Sequence, residues 1–162
     1  MKALVVYGSK RGGTKGLAQM LGDALTEQGI EVTVRSAAVR TGDVGSYDAV
    51  VVGGALYAGR WHKAARRFVK RESDALRDTK VWLFSSGPIG DDAEPAGEME
   101  PVGHVRAAME RVGAVGHATF GGRLEPDAKG FPANAMAKKM AGDWRDPEAV
   151  SAWAKEIAAS LA

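Results

Sequence analysis

"VVYGSKRGGTKGLA" (residues 5–18) runs from an apolar segment, through a glycine-rich basic turn, into a helical pattern. The unbroken apolar run Ala3 to Tyr7 predicts a strand buried on both faces. Glycines at 8, 12 and 13 let the following backbone turn with its amides inward, and Ser9 and Thr14 add hydroxyl donors. A helix beginning near Gly13 contributes the positive end of its dipole. Such a turn can enclose a phosphate monoester. The plainer alternative is a glycine-rich strand-to-helix turn that holds no ligand.

Three other phosphate motifs fit less well. A nucleotide-triphosphate loop needs lysine followed by serine or threonine, so that ammonium and hydroxyl reach phosphate and magnesium. Here Thr14 precedes Lys15, and the third strand pattern ends in Gly53-Gly54 with no aspartate for a metal. The dinucleotide spacing G-x-G-x-x-G is absent from "GGTKG". A phospho-acceptor receiver would need acidic residues after the first strand and an aspartate ending the third, and neither is present.

Outward from this turn, strand-like and helix-like segments alternate. Leu17, Leu21, Ala24, Leu25 and Gln28 share a helical face that Gly29 ends. "IEVTVR" alternates, with Val32 and Val34 on one side, as an edge strand does. "DAVVVGG" (48–54) is a second doubly buried run, and Ala65, Phe68, Val69 and Leu76 form one helical stripe. "KVWLFSSG" (80–87) reads as the fourth strand, followed by a helix carrying Val102, Val105, Met109 and Val112. "AVGHATFGG" (114–122) alternates like a second edge. Val150, Trp153, Ile157 and Leu161 mark a closing helix entered through Asp146-Pro147.

Parallel strands need helical crossovers of one hand. The pattern therefore predicts an α/β three-layer sandwich: a five-stranded parallel sheet of order 2-1-3-4-5 with helices on both faces. Ligands in such a sheet sit beyond the carboxyl ends of the strands, at the switch between strands 1 and 3. The turns after Tyr7, Val52 and Phe84 are the ones to examine.

Composition narrows the function. The length of 162 residues suits a single domain over 1–162. The net charge of +2 gives no reason to expect a nucleic-acid partner. No apolar run approaches the roughly 20 residues that span a bilayer. The strand pattern starting at Met1 leaves no room for a signal peptide, so the expected location is cytoplasmic. Cysteine is absent, which excludes disulfides, thiolate metal sites and thiol redox chemistry. Any redox function must use a bound cofactor. His62 is expected to start a helix, His104 and His117 to lie at the surface or an edge, and none has partners at metal-ligand spacing. The acidic loop Asp91 to Glu100 likewise lacks calcium-ligand spacing.

Gly8-Ser9-x-x-Gly12-x-Thr14 resembles the FMN-phosphate loop of flavodoxins. "GGALYAGRWHKAARRFVKR" (53–71), "FGGRL" (120–124) and "GDWRDPEAVSAWAKEIA" (142–158) are similar to flavodoxin-like proteins of the menaquinone-dependent protoporphyrinogen dehydrogenase type. The resemblance implies a flavodoxin-like fold and FMN as cofactor. It implies a phosphate held by Ser9, Lys10, Arg11, Gly12, Gly13 and Thr14. It also places Ala55, Leu56, Tyr57, Ala58 and Gly59 along the flavin ring, and Ser86, Gly87, Pro88, Ile89 and Gly90 at its edge. Tyr57 is the aromatic best placed to stack on the ring. Gly59 can reverse its peptide plane and offer its carbonyl to a protonated flavin N5. Small flavodoxins commonly carry a second stacking aromatic in the third turn, and this chain has none, which leaves one ring face open. Trp61 either covers that face or packs under the second helix.

No catalytic side chain stands out. Arg66, Arg67, Lys70 and Arg71 form a solvated helix face or attract an anionic partner, such as porphyrin carboxylates or an acidic redox protein. Residues 123–145 fall outside the repeat. Phe131, Met136 and Met140, with Lys138 and Lys139, suggest a short amphipathic helix whose hold on an inner membrane surface would be weak and peripheral at most. The expected function is an FMN-dependent oxidoreductase that passes electrons from a reduced small-molecule donor to a quinone or redox-protein acceptor. Protoporphyrinogen is the donor the resemblance implies. The alternatives are a non-enzymatic electron carrier and a flavin-free interaction module. The oligomeric state is left open.

Overall fold

The central strand of the sheet, β3 (Ala49–Tyr57), carries Val50, Val51 and Val52 without an accessible side chain and then two glycines in succession. In this computed structural model, residues 1–8, 13–40, 42–57, 60–87, 103–121, 123–124, 142–143 and 146–162 are described. The elements follow in the order β1 (Lys2–Gly8), α1 (Gly13–Glu27), β2 (Glu31–Ser36), β3, β4 (Arg60–Trp61), α2 (Lys63–Arg71), α3 (Ser73–Arg77) and β5 (Lys80–Ser86). They continue with α4 (Gly103–Val112), β6 (Gly116–Phe120), β7 (Arg123–Leu124), β8 (Gly142–Asp143) and α5 (Pro147–Leu161).

Five strands pair in parallel in the order β2-β1-β3-β5-β6. This is the expected 2-1-3-4-5 once the two-residue β4 is set aside. β4 is a sixth strand that the sequence pattern does not reveal, and it pairs antiparallel with the end of β3. The chirality of parallel crossovers then puts helices on both faces. One core joins α1 and α5 to Val5, Val51 and Phe84. The other joins α2, α3 and α4 to Leu4, Val6, Val52 and Leu83.

Two strands run past their expected ends: β1 continues to Gly8, and β3 to Tyr57 rather than stopping at Gly53-Gly54, while β5 ends at Ser86, within the expected 80–87. The glycines are not a terminator. They are the places where aromatic rings lie flat on the strand. A Cβ on Gly53 would stand 2.0 Å from Phe84 Cζ, and one on Gly54 would stand 2.5 Å from Trp61 Nε1. Phe84 is the register partner of Gly53 on β5, so its ring folds directly over its neighbour. Trp61 reaches Gly54 from the opposite face, and its Nε1 donates to the Phe84 carbonyl at 3.2 Å. Trp61 therefore packs in the core with Ala65 and Phe68 of α2, the second of its two expected placements.

The stripe Ala65, Phe68, Val69, Leu76 is divided between two helices, not one. Glu72 breaks the run, accepting the end of α2 and opening α3. Ser73 Oγ donates to the Val69 and Lys70 carbonyls at 2.8 Å each, capping what the break leaves open. The closing helix begins as expected, with Pro147 in its first turn and Asp146 Oδ1 accepting from Glu148 N and Ala149 N. Its Trp153 joins Phe84 and Phe120 in a triangle of edge-to-face rings with centroids 5.5–6.1 Å apart. Residues 123–145 are represented by β7 and β8, which pair antiparallel. The expected amphipathic helix around Phe131–Met140, and Val102, lie outside the described residues.

Gly53→Ala tests the ring-on-glycine packing. Overpacking of this kind costs about 1–3 kcal/mol, read as a lower urea midpoint, and Gly53→Ala combined with Phe84→Leu recovers part of the loss. An unchanged midpoint in the single variant would contradict the packing.

Candidate functional site

The carboxyl ends of β1 and β3, where the sheet reverses its order of building, meet the start of α1. Register pairs Tyr7 with Gly53 and Gly8 with Gly54, so the chain leaves β1 for its glycine-rich turn directly beside the centre of β3. Of the phosphate-turn residues, Gly13 and Thr14 are described, both buried in the first turn of α1. Ser9, Lys10, Arg11 and Gly12 lie outside the described residues. That first turn carries no acidic residue, while Lys15 adds a positive charge there. The first N–H groups of a helix lack intrahelical partners, and with no carboxylate within that turn they suit an anion.

Thr14 makes the most informative contact. Its Oγ1 lies 2.7 Å from Ser86 Oγ, and both hydroxyls are buried. One hydroxyl donates to the other. The accepting oxygen keeps its own proton for a further acceptor, so the pair can still donate one hydrogen bond outward. The contact joins the phosphate turn to the end of β5 across 72 residues of sequence. Both residues are candidates on sequence grounds, but nothing in the sequence pairs them. Gly87 follows with φ +128 and donates its N–H to the Phe120 carbonyl at 2.7 Å. A side chain there would be strained whatever space it had. Pro88, Ile89 and Gly90 lie outside the described residues.

Ala55, Leu56 and Tyr57 are not turn residues, as the sequence reading has them, but the last three positions of β3. Leu56 and Tyr57 pair antiparallel with Trp61 and Arg60, and Ala58 and Gly59 lie outside the described residues. The site therefore draws on a strand extension paired with β4. The signal for this is Trp61, an apolar residue close after a strand and amid charges, which needs somewhere to be buried.

A further polar pair, buried Ser85 and half-buried His117, lies nearer the sheet edge. Ser85 Oγ and His117 Nε2 are 3.3 Å apart. Burial lowers the His117 pKa from 6.5 to about 4, because the imidazolium would lose its hydration. His62, expected at a helix start, caps α2 by accepting from Ala64 N at 3.1 Å. Among the described residues no group of three or more His, Cys, Asp or Glu side chains could hold a metal, and no helix is long and apolar enough to cross a membrane.

The profile of the flavodoxin domain family matches residues 4–144. Protoporphyrinogen IX dehydrogenase [quinone] of Escherichia coli (strain K12) is 31% identical over 86 residues, which is 52% of this chain and 48% of that protein. The chain thus aligns with about half the length of the curated relatives it matches. Among solved structures, a flavodoxin from the domain Archaea superposes with a TM-score of 0.63 at 18% identity, covering 99% of both chains. Oxidised Flavodoxin 1 from Bacillus cereus gives 0.63 at 14% identity, covering 100% of both. The rubredoxin oxygen:oxidoreductase of Desulfovibrio gigas gives 0.64 at 15% identity, over 99% of this chain and 36% of that one. At these identities the structures establish the fold.

Two expectations follow. In a double-mutant cycle of Thr14→Val and Ser86→Ala, each single variant loses about 1–3 kcal/mol because one buried hydroxyl is left alone. The double variant loses less than their sum; additive losses would show that the hydroxyls do not interact. His117 gives a pH signature. Its folded pKa lies below its unfolded value, so the unfolded chain binds the extra proton and stability falls as pH drops from 6.5 towards 4. His117→Gln flattens that part of the stability–pH curve, and an identical slope in the variant would contradict the assignment.

Proposed function

The chain belongs to the flavodoxin domain family, and on that premise we propose that it is an FMN-dependent oxidoreductase. It takes electrons from a reduced small molecule and delivers them to a quinone or a redox protein. The observation that carries the proposal is the carboxylate-free first turn of α1 beside the buried Thr14–Ser86 pair, at the switch between β1 and β3. A phosphate monoester fits this donor set. Ser9, Gly12, Gly13 and Thr14 would hold the phosphate with amides and hydroxyls, and Lys10 and Arg11 would add charge. Tyr57 would lie against the ring, flanked by Ala55, Leu56, Ala58 and Gly59. Ser86 and Gly90 would present amides to the ring edge, Gly87, whose N–H is held by the Phe120 carbonyl, would allow close approach, and Pro88 and Ile89 would be apolar contacts. FMN, when bound, supplies hydride and single-electron chemistry that no side chain here can perform. The residues of the chain bind it, orient it and exclude water from one of its faces.

Protoporphyrinogen as donor and menaquinone as acceptor are supported by the likeness to the Escherichia coli dehydrogenase. The cytoplasm, with at most a peripheral contact at the inner membrane surface, is the location that suits such a pair. A second reading, a flavodoxin-type electron carrier, is supported by the end-to-end superposition on flavodoxins.

Titration of the apo-protein with FMN tests the proposal. One equivalent should quench the flavin fluorescence. Thr14→Val should weaken binding about 10-fold or more, as loss of a hydrogen bond to a charged group does. Quinone-dependent oxidation of protoporphyrinogen by the loaded protein identifies the enzyme. FMN binding without that turnover identifies the carrier, and absence of FMN binding would leave a flavin-free interaction module.

A further inference from the structure

On the face of the sheet opposite α1, a cleft of about 330 Å³ opens between the start of α2 and the turn after β2. Ala37 and Ala38 line one side, and His62, Lys63, Ala64, Arg67 and Arg71 line the other. Both sides are fixed to the end of β1. Ala37 N donates to the Tyr7 carbonyl at 2.8 Å, and a Cβ on Gly8 would stand 2.9 Å from Ala65 N.

The charges along this cleft are one-sided. Lys63, Arg67 and Arg71 recur every four residues, which puts them on one stripe at intervals of about 6 Å along the axis. Among the described residues no carboxylate lines the cleft. Arg71 is engaged, 3.4 Å from Glu72 Oε1 and 5.6 Å from the centre of the Phe68 ring. Among the described residues, Lys63 and Arg67 have no ion-pair partner. Helix stability does not explain their placement. A lysine at the first helical position opposes the dipole, and like charges four residues apart repel. Three alanines and His62 complete the lining, so the cleft offers apolar surface beside two available cations.

We propose that this cleft binds a small dicarboxylate with a hydrocarbon body, its two carboxylates on Lys63 and Arg67 and its body against Ala37, Ala38 and Ala64. A polyphosphate would use the cations and leave the alanines uncovered. Its lining shares no residue with the set assigned to FMN, and α2 packs in the core on the face of the sheet opposite α1.

Calorimetric titration of the whole chain at low ionic strength, with and without saturating FMN, tests this. The probes are linear dicarboxylates from succinate to sebacate, with tripolyphosphate for comparison. Affinity should peak near the length that spans the interval of about 6 Å between the two charges. It should fall at least about 10-fold in Lys63→Gln/Arg67→Gln, and equally in Ala38→Glu, which puts a repelling carboxylate on the alanine side. It should be unchanged by FMN. Absence of a length preference, equal or tighter binding of tripolyphosphate, retention of affinity in both variants, or displacement by FMN would each overturn the proposal. Failure of the FMN assignment would register separately, as no FMN binding with the dicarboxylate titration intact.

Discussion

Phe84 and Trp61 lie against Gly53 and Gly54 from opposite faces of the central strand, and the arrangement of the whole sheet depends on this contact. Phe84 ties β3 to the core under α1 and α5, where it also meets Phe120 and Trp153. Trp61 ties the same strand to the core under α2 and α4, and its indole N–H satisfies a carbonyl on β5. Neither ring could approach so closely over any residue larger than glycine. Trp61 is buried from β4, which pairs antiparallel with the last residues of β3 at the carboxyl edge.

β1 and the extended β3 end side by side at the carboxyl edge, with Gly8 and Gly54 as register partners. The Thr14–Ser86 hydrogen bond joins the first turn of α1 to the end of β5 at that edge. Amide donors, one outward hydroxyl proton and a first turn of α1 without a carboxylate all favour negative charge at one end of this edge. The alanine-lined cleft on the opposite face carries a second, independent concentration of positive charge.

Much of this was legible in the sequence. Apolar runs at Ala3–Tyr7 and Ala49–Val52 can only be doubly buried strands, and Asp146-Pro147 can hardly be anything but a helix start. Strand ends were harder to read. Gly53-Gly54 looks like punctuation because a strand without side chains has no local reason to continue. Its reason is two aromatics 7 and 31 residues further on, Trp61 and Phe84. The stripe Ala65 to Leu76 keeps helical spacing through the break at Glu72, so periodicity alone could not divide it into two helices. At the site, residue types indicated where an anion could sit, whereas the pairing of Thr14 with Ser86 depends on tertiary structure alone.

The most direct test is a crystal structure of the chain grown with FMN. The account predicts the phosphate on the amides that begin α1, with Thr14 donating to it and the ring lying beside Tyr57. Flavin bound elsewhere, or a first turn of α1 closed by its own side chains, would contradict it.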